Sequence, residues 1–541
     1  MRGLMQHDPL VVNRILERAL TFFPRQEIVT WTKDGVHRET FAAFGGRVGR
    51  LASALSALGV GPGDRVATFA FNTYRHQELY LAVPCMGAVL HTLNIRLHAD
   101  QTAWIANHAG DRVVFVDAPL LPAFAAIAPH LASVRHVVVM GEGDRRPFPG
   151  GLDYEELLDA AAPDVAWKEP DEDEAAAMCY TSGTTGHPKG VVYSHRSTVL
   201  HATMVNLASC LGLTDRDAVL PVVPMFHANA WGLPYAALMA GSKVVLAGAA
   251  SADPAALVSL IQSERVTVAT GVPTVWTGLL QVLEGTRCDL SSLRLVTVGG
   301  AATPVSMIER FRDLAGVEVV QGWGMTETGP VASLSFLPAE TRGLSESERI
   351  RMRARQGRVV PGVRFRVVSP DGRVAPWDDR TKGELEVKGN WVAESYYNDE
   401  KSAERFHDGW LRTGDIAVID AHGSIRIVDR AKDLVKSGGE WISSVDLELE
   451  LTGHSSVLEA AVIGVPDEKW DERPLACVVV KPGKSVTPDE LRTFLAPRVP
   501  KWWLPEKIVF LAELPKTSVG KLDKKVLRQR FREPRLPGPT P

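Results

Sequence analysis

The chain has 541 residues, of which 45% are hydrophobic and 23% are charged, and its formal net charge at pH 7 is −4. These proportions are ordinary for a folded protein of several domains, and they exclude disordered and fibrous classes for most of the chain. The charge balance also argues against nucleic acid as a partner, because nucleic-acid-binding proteins usually carry a basic excess. Five scattered cysteines without a Cys-x-x-Cys pair predict free thiols in a reducing compartment.

The sequence also lacks the signals of membrane insertion. No stretch reaches the ~18 apolar residues that a membrane-spanning helix needs. The N-terminus carries Asp8 and Arg14 where a signal peptide requires an unbroken apolar segment. We therefore expect a cytoplasmic protein, and contact with a membrane surface is left open.

The first 320 residues alternate between helical and strand-like patterns. Helices are predicted where apolar residues recur every three or four positions, and strands where short apolar runs lie between turn residues. Asp34-Gly35 is a strong hairpin signal between two such runs. The predicted order is a helix at 10–22, a hairpin of 27–32 and 36–40, a helix at 41–58, a strand at 65–71, a helix through Tyr80, a strand near Val89, and strands at 295–298 and 317–320. This alternation predicts an α/β fold with largely parallel sheets.

The pattern changes near Arg364, where dense turn signals begin to separate short strand-like segments. This predicts a β-rich subdomain at about 364–431, within a large N-terminal domain of α/β-layered sheets spanning 1–431. A small α+β domain is predicted at 432–532, with strands at 458–465 and 475–480 and a helix that begins with a capping box at 487–490. The Pro-rich residues 533–541 predict a disordered tail.

Residues 180–190 read Tyr-Thr-Ser-Gly-Thr-Thr-Gly-His-Pro-Lys-Gly and follow an apolar, strand-like run. Glycines let a backbone approach an anion closely, while hydroxyls and a lysine add donors, so the segment suits a triphosphate. Its spacing differs from that of a Walker A loop, and a polar turn between two strands is the alternative. The candidate phosphate-binding residues are Thr181, Ser182, Gly183, Thr184, Thr185, Gly186 and Lys189.

A second polar segment, residues 321–328, follows the strand-like run that ends at Val320. Loops at the ends of strands are where α/β proteins bind ligands. Trp323 stands between two glycines and is able to stack on a base, and Glu327 is able to hold a hard cation such as Mg²⁺. The alternative is a loop with a packed tryptophan and a solvated glutamate.

Further polar segments lie at 413–415, 429–433, 436–441 and 515–521. Asp415 is able to accept hydrogen bonds from two ribose hydroxyls. Charged residues beside a domain boundary are usually solvated, and a lysine near a chain end, such as Lys521, is most often a surface charge. Each segment taken alone therefore has an ordinary explanation, but their joint order and spacing do not.

That order and spacing resemble those of the adenylate-forming enzymes, a superfamily of acyl-CoA synthetases, luciferases and peptide-synthetase adenylation domains. The resemblance covers nearly the whole chain. Within it, residues 222–231 (Val-Val-Pro-Met-Phe-His-Ala-Asn-Ala-Trp) and residues 437–444 look closest to bacterial long-chain fatty-acid–CoA ligases. The resemblance implies a large N-terminal domain and a mobile C-terminal domain, with Lys432 at the hinge.

The resemblance also implies roles for individual residues. Thr181 and Glu327 would bind Mg²⁺, Thr326 would contact the α-phosphate, Lys521 would promote adenylation, and His227 would lie near the activated carboxylate. The implied ATP- and AMP-binding set further contains Gly300, Ala301, Gln321, Gly322, Trp323, Asp415, Arg430, Lys432, Lys436 and Trp441. Ala228, Trp231 and Gly271 would line an acyl pocket, and Gly438, Gly439 and Glu440 would line a coenzyme A channel. The sequence departs from the family pattern at Trp323, usually Tyr, and at Asp429, usually Gly.

The expected activity is ATP-dependent conversion of a medium- to long-chain fatty acid into an acyl adenylate, followed by transfer to coenzyme A. A ligase for an aryl or short-chain acid is the main alternative. A luciferase-type oxygenase shares the motifs, and a non-catalytic nucleotide sensor represents a different class. A peptide-synthetase module is disfavoured, because the few residues after Lys521 leave no room for a carrier domain. Related long-chain ligases suggest a homodimer formed through N-terminal segments, although the helix at 10–22 could equally pack on its own domain.

Overall fold

The structure is a computed structural model, and it describes residues 1–33, 35–141, 143, 148, 150–162, 167–181, 187–286, 288–437, 440–517 and 522–531, with backbone only for Glu440. Several residues singled out above therefore lie outside the described residues. They are Ser182, Gly183, Thr184, Thr185, Gly186, Gly438, Gly439 and Lys521, together with Asp34 of the hairpin and the tail at 533–541.

The first part of the chain alternates helices with short strands, as its sequence predicts. The elements are α1 (Val12–Phe22), β1 (Glu27–Thr32), β2 (Gly35–Thr40), α2 (Phe41–Ala57), β3 (Arg65–Phe69), α3 (Tyr74–Cys85), β4 (Val89–Thr92), α4 (Ala99–Ala109), β5 (Asp111–Asp117), α5 (Leu121–Ala125), β6 (His136–Met140), β7 (Leu152–Asp153), α6 (Tyr154–Asp159), β8 (Ala175–Tyr180), β9 (Gly190–Ser194) and α7 (His195–Val205).

The alternation continues through the next 150 residues. The elements are β10 (Ala218–Pro221), α8 (Leu233–Ala240), β11 (Lys243–Leu246), α9 (Pro254–Ser263), β12 (Val268–Gly271), α10 (Pro273–Gly285), β13 (Leu295–Gly299), α11 (Val305–Ala315), β14 (Glu318–Gly324), β15 (Val331–Leu334), α12 (Glu346–Arg353) and β16 (Arg358–Val359).

Strands dominate from residue 363 onward, and helices return near the C-terminus. The elements are β17 (Val363–Val368), β18 (Gly383–Gly389), β19 (Phe406–His407), β20 (Trp410–Ile419), β21 (Ile425–Arg430), β22 (Val435–Ser437), β23 (Glu440–Ile442), α13 (Ser444–Thr452), β24 (Val457–Asp467), β25 (Asp471–Val480), α14 (Pro488–Leu495), β26 (Lys507–Phe510) and α15 (Lys524–Phe531).

Two largely parallel sheets form the bulk of the described chain. One has seven strands in the order β7-β6-β5-β3-β4-β8-β9, and the other has nine in the order β16-β15-β14-β13-β12-β10-β11-β1-β2. Among the described strands of these two sheets, the outer pairs β8/β9, β1/β2, β14/β15 and β15/β16 are antiparallel and the others are parallel. Helix α3 is buried on all sides and contacts strands of both sheets, so it forms part of the core between them. The predicted α/β fold with mainly parallel sheets is confirmed.

The remaining strands form two smaller sheets. Strands β17, β18, β20, β19 and β21 build an antiparallel sheet, which confirms the predicted β-rich segment. Strands β22 to β26 build a separate sheet covered by α13, α14 and α15. Sheet membership therefore changes between Arg430 and Val435, where the sequence predicts a domain boundary. The capping box is also formed, because Thr487 accepts a hydrogen bond from the Glu490 amide and Glu490 accepts one from the Thr487 amide.

One local prediction was wrong. The sequence suggested a strand that ends at Val320 and a loop from Gln321 onward. Strand β14 instead continues to Gly324, because it pairs with β13 on one side and with β15 on the other. Gln321, Gly322 and Trp323 are therefore strand residues, and only Thr326–Thr328 form a short helical turn. Pairing on both sides fixes the backbone more firmly than a loop would.

Candidate active site

A cavity of about 220 Å³ lies at the carboxyl ends of β13 and β14. Most of the predicted nucleotide and acyl residues that the structure describes line this one cavity. They are Thr181, Lys189, His227, Ala228, Trp231, Gly300, Gly322, Trp323, Thr326, Glu327 and Arg430. These residues come from segments more than 200 positions apart in sequence. The strand ends of a parallel sheet meet at one edge, which is where such folds place their ligands.

On one side of the cavity, a tryptophan, an aspartate and an arginine are joined in a chain. The Trp323 indole Nε1 donates a hydrogen bond of 2.9 Å to Asp415 Oδ2, and Arg430 Nε lies 2.6 Å from Asp415 Oδ1. Asp415 is 2% exposed, and these two donors offset part of the cost of burying its carboxylate. The tryptophan that replaces the usual tyrosine therefore orients the aspartate expected to bind ribose, a role that the sequence did not reveal.

Tyr396, which also lines the cavity, contacts the two residues expected to bind the phosphates and the metal. Its hydroxyl donates a 2.6 Å hydrogen bond to Glu327 Oε1, and the Lys189 ammonium lies 4.7 Å from the centre of its ring. Lys189 also forms a 2.9 Å ion pair with Asp399. Burial and the Glu327 carboxylate raise the pKa of Tyr396, so its hydroxyl stays protonated and remains a donor. Sequence reasoning missed Tyr396, because the surrounding residues carry no recognisable motif.

The oxygen donors in the cavity fit a magnesium ion bound together with nucleotide phosphates. Glu327 offers a carboxylate that is almost fully buried, and the Thr181 hydroxyl lines the same space. Within the described part of the chain, no group of three or more histidine, cysteine or acidic residues could form a metal cage of its own. Mg²⁺ is usually held by one or two carboxylates, with water and substrate phosphates completing its coordination. The two predicted residues match that arrangement.

A left-handed turn forms another wall of the cavity. Ala228, Asn229, Ala230 and Trp231 all have φ between 44° and 60°. Residues other than glycine avoid this region, at a cost of roughly 1–2 kcal/mol each. Buried contacts must therefore hold the turn in place. Asn229 Oδ1 accepts hydrogen bonds from the Cys179 thiol (3.2 Å) and the Tyr80 hydroxyl (3.3 Å). The turn directs Ala228 and Trp231 toward the cavity.

Trp231 lines both the main cavity and a smaller apolar space of about 20 Å³. That space is lined by Met204, Val205, Leu211, Leu233, Thr270, Thr297, Val331 and Leu334 together with Trp231 itself. Gly299 lies directly against the indole, since a Cβ there would come within 2.6 Å of it. Gly271 lines neither space. A Cβ at Gly271 would instead lie 2.8 Å from the buried ring of Trp276, so this glycine makes room for core packing.

The structure does not bring every predicted residue to the cavity. Gln321 is buried behind it, where its Oε1 accepts a hydrogen bond from the Thr303 amide, and Ala301 lies at the exposed turn after Gly300. Lys436 is exposed on β22. Trp441 packs against the apolar cluster of Ile416, Val418, Val428 and Leu434. Glu440 is described only as a backbone position in β23.

Lys432 lines a neighbouring cleft of about 1140 Å³, which we call the basic cleft. Basic side chains outnumber acidic ones among the described residues that line it. The basic residues are Arg96, Arg405, Arg412, Arg430, Lys432, Lys516, Lys524, Lys525 and Arg528, and the acidic residues are Glu384, Glu404, Asp433 and Asp523. Arg405 and Arg430 also line the main cavity, so the two spaces are contiguous. Arg405 is a second residue that the sequence analysis missed.

Comparison with known proteins shows the family of the chain. Residues 16–397 match the AMP-binding enzyme family, and residues 446–521 match the C-terminal domain of AMP-binding enzymes. The chain belongs to the AMP-binding enzyme family. The resemblance to adenylate-forming enzymes stated from the sequence is thereby confirmed.

Individual relatives match over almost their whole length. The chain is 49% identical to a long-chain-fatty-acid–CoA ligase of Thermus thermophilus, with 98% of this chain and 97% of that protein covered. It is 44% identical to a 3-methylmercaptopropionyl-CoA ligase of Ruegeria lacuscaerulensis (98% and 99% covered) and 43% identical to a medium-chain-fatty-acid–CoA ligase of Ectopseudomonas oleovorans (98% and 98%). Its fold resembles the crystal structure of an anthranilate–CoA ligase with bound anthranoyl-AMP, with a TM-score of 0.88, 26% identity and coverage of 98% and 99%.

No helix in the described part of the chain combines the length and the apolar character needed to cross a bilayer.

Proposed function

We propose that this AMP-binding enzyme joins a medium- to long-chain fatty acid to coenzyme A, with cleavage of ATP to AMP and pyrophosphate. The acid–thiol ligase class predicted from the sequence is supported by the family and by relatives that are named CoA ligases. The observation that carries the proposal is a single cavity that contains both halves of the required chemistry. Phosphate- and nucleotide-binding groups lie on one side, and an apolar wall around Trp231 lies on the other.

In the first step, an oxygen of the fatty-acid carboxylate attacks the α-phosphorus of ATP. The bond to the β-phosphate breaks, and pyrophosphate leaves. We assign adenine stacking to Trp323, ribose binding to Asp415 with Arg430, the α-phosphate to Thr326, and the outer phosphates to Lys189. Both reactants are anions, so positive charge is needed where they meet. Lys521, which lies outside the described residues, is assigned to stabilise the charge that develops in this step.

Thr181 and Glu327 are assigned to Mg²⁺. When bound, the ion would neutralise phosphate charge and orient the leaving group. The protein's own contribution is to hold the two oxygen donors in one place. For Glu327, that task falls to the Tyr396 hydroxyl.

In the second step, the coenzyme A thiolate attacks the carbonyl carbon of the acyl adenylate, and AMP leaves. We assign residues 1–431 to the N-terminal domain, with the β-rich subdomain at about 364–431, and residues 432–532 to a C-terminal domain that rotates about Lys432 between steps. Lys436 and Trp441 lie away from the cavity in this structure. Rotation would carry them, with Gly438, Gly439 and Glu440, toward the acyl adenylate to form the coenzyme A channel.

The acyl substrate is the part of the proposal that rests most on the apolar lining. His227, Ala228 and Trp231 are assigned to the carboxylate end of the acyl chain. The space behind Trp231 has room for about one water molecule in this structure, so we assign the tail to a tunnel that opens there when Trp231 moves aside. Each methylene buried there contributes about 0.8 kcal/mol, so affinity should rise with chain length until the space is full. A short sulfur-containing or aryl acid is the second candidate, since one relative is named for 3-methylmercaptopropionyl-CoA formation.

The deciding experiment measures pyrophosphate release with ATP and Mg²⁺ across a series of carboxylic acids, with and without coenzyme A. Turnover that peaks at a medium or long fatty acid and yields acyl-CoA would support the proposal. A peak at short or aryl acids would keep the mechanism and reject the fatty-acid substrate. Absence of release with every acid would favour a nucleotide sensor instead.

A companion variant tests the assignment of Lys521. Lys521→Ala should abolish most adenylate formation while leaving the transfer of a supplied acyl adenylate to coenzyme A near the wild-type rate. Adenylate formation at the wild-type rate would contradict the assignment. We further propose a cytoplasmic homodimer, without nucleic acid as a partner. Sedimentation would test the dimer, and pelleting with liposomes would test contact with membranes.

A further inference from the structure

Three aromatic rings form a continuous stack beside the segment that carries the phosphate-binding motif. The Trp104 indole, on α4, stacks with two imidazoles. The His187 ring centre is 4.5 Å away with an interplanar angle of 12°, and the His108 ring centre is 4.7 Å away with an angle of 14°. Trp104 therefore stacks with one residue of the motif and with one residue of its own helix.

The same helix also holds the other end of the motif. His108 and the Tyr180 hydroxyl are joined by a 2.7 Å hydrogen bond, and Tyr180 is the last residue of β8. Between these two attachments, the Thr181 amide donates a 2.9 Å hydrogen bond to the Lys189 carbonyl. Helix α4 thus fixes the position where the motif leaves β8 and the position where it returns toward β9.

Local geometry links this stack to the cavity. Lys189 follows His187 by two residues, lines the cavity, and contacts both Asp399 and the ring of Tyr396. Pro188 lies between them and is buried. A displacement of His187 would therefore be transmitted along a short, conformationally restricted stretch to the Lys189 side chain.

We propose that His187 and Trp104 are positioning residues for the ATP phosphates, acting through the stack that anchors the motif to α4. The inference rests on the proposed function, because it presumes that Lys189 meets the phosphates of ATP. Neither side chain of the pair touches the substrate in this role. Their stacking limits the conformations open to His187, Pro188 and Lys189 before ATP arrives, so that less conformational freedom is lost when Lys189 binds the phosphates.

The test compares His187→Ala with His187→Phe. Alanine removes the ring, whereas phenylalanine keeps a flat ring able to stack on Trp104 but has no nitrogen. His187 is exposed, so neither change should disturb the core. We expect His187→Ala to raise the Kd for Mg-ATP, measured by calorimetry without fatty acid, by about 3- to 10-fold, the range expected for loss of one ring pair. The phenylalanine variant should stay within about twofold of the wild type.

The kinetic parameters provide an independent readout. His187→Ala should raise the KM for ATP while the KM for the fatty acid and the thermal midpoint of unfolding stay unchanged. Trp104→Phe should resemble the wild type, and Trp104→Ala should resemble His187→Ala. An unchanged Kd in His187→Ala would overturn the inference, as would failure of phenylalanine to restore binding or an equal rise in both KM values. Absence of ATP binding by the wild-type protein would overturn the proposed function itself, and the inference with it.

Discussion

Replacing Tyr396 with phenylalanine removes one hydroxyl group from the cavity and leaves the aromatic ring in place. The ring contact with Lys189 is retained, so the change isolates the 2.6 Å hydrogen bond to Glu327. Both side chains are buried, at 5% and 4% exposure, and water cannot readily replace the lost donor. A hydrogen bond to a buried charge contributes about 1.5–3 kcal/mol, and loss of a residue that orients a metal ligand typically costs about 10- to 100-fold.

The assay is pyrophosphate–ATP exchange as a function of Mg²⁺ concentration. We expect Tyr396→Phe to lower the exchange rate by about 10- to 100-fold when Mg²⁺ and ATP are equimolar. Excess Mg²⁺ should restore part of the lost exchange rate. Tyr397→Phe is the matched control, because the adjacent ring packs edge-on against His108 at 5.7 Å. A Tyr396→Phe enzyme within twofold of the wild type at every Mg²⁺ concentration would refute the claim that this hydroxyl orients a metal ligand.

Three further predictions concern stability, domain contacts and acyl binding. Burial and the nearby Glu78 carboxylate raise the pKa of Glu39 to about 8, so between pH 5 and pH 8 this group stays largely protonated in the folded chain while it is ionised in the unfolded chain. The free energy of unfolding should therefore fall by about 3 kcal/mol over that range, and Glu39→Gln should remove that part of the slope in denaturant titrations. Ser444 Oγ donates a hydrogen bond to Asp429 and accepts one of 2.6 Å from Lys524, so these contacts join α13 and α15 to β21. Ser444→Ala should slow adenylate formation by about 3- to 10-fold without slowing transfer from supplied acyl adenylate. Equal slowing of both half-reactions would contradict this prediction. Asn229→Ala should loosen the left-handed turn and raise the KM for the fatty acid about tenfold, while the KM for ATP stays within twofold of the wild type. A change in the KM for ATP alone would show that the turn does not serve acyl binding.

Local chemistry in the sequence was enough to predict many elements. The apolar spacing at 10–22 matches α1, Gly35 of the predicted hairpin signal begins β2, which pairs antiparallel with β1, and the capping box begins α14 at Pro488. In each case the deciding interactions join residues only a few positions apart, so they can be read from a short stretch of sequence. The predicted end of β14 was wrong, because the length of this strand depends on pairing with β13 and β15, whose residues are not adjacent to it in sequence.

The candidate site divides in the same way. The sequence by itself determined which chemical groups are present: a Gly-, Ser- and Thr-rich segment with Lys189, a tryptophan between glycines, and isolated acidic residues, whose order resembles one enzyme family. Only the tertiary structure decided that Trp323 hydrogen-bonds to Asp415, that Tyr396 holds Glu327, and that Trp104 stacks on His187. These pairs lie roughly 70 to 90 residues apart. No local pattern specifies such contacts, because they arise when separate elements pack around a common core.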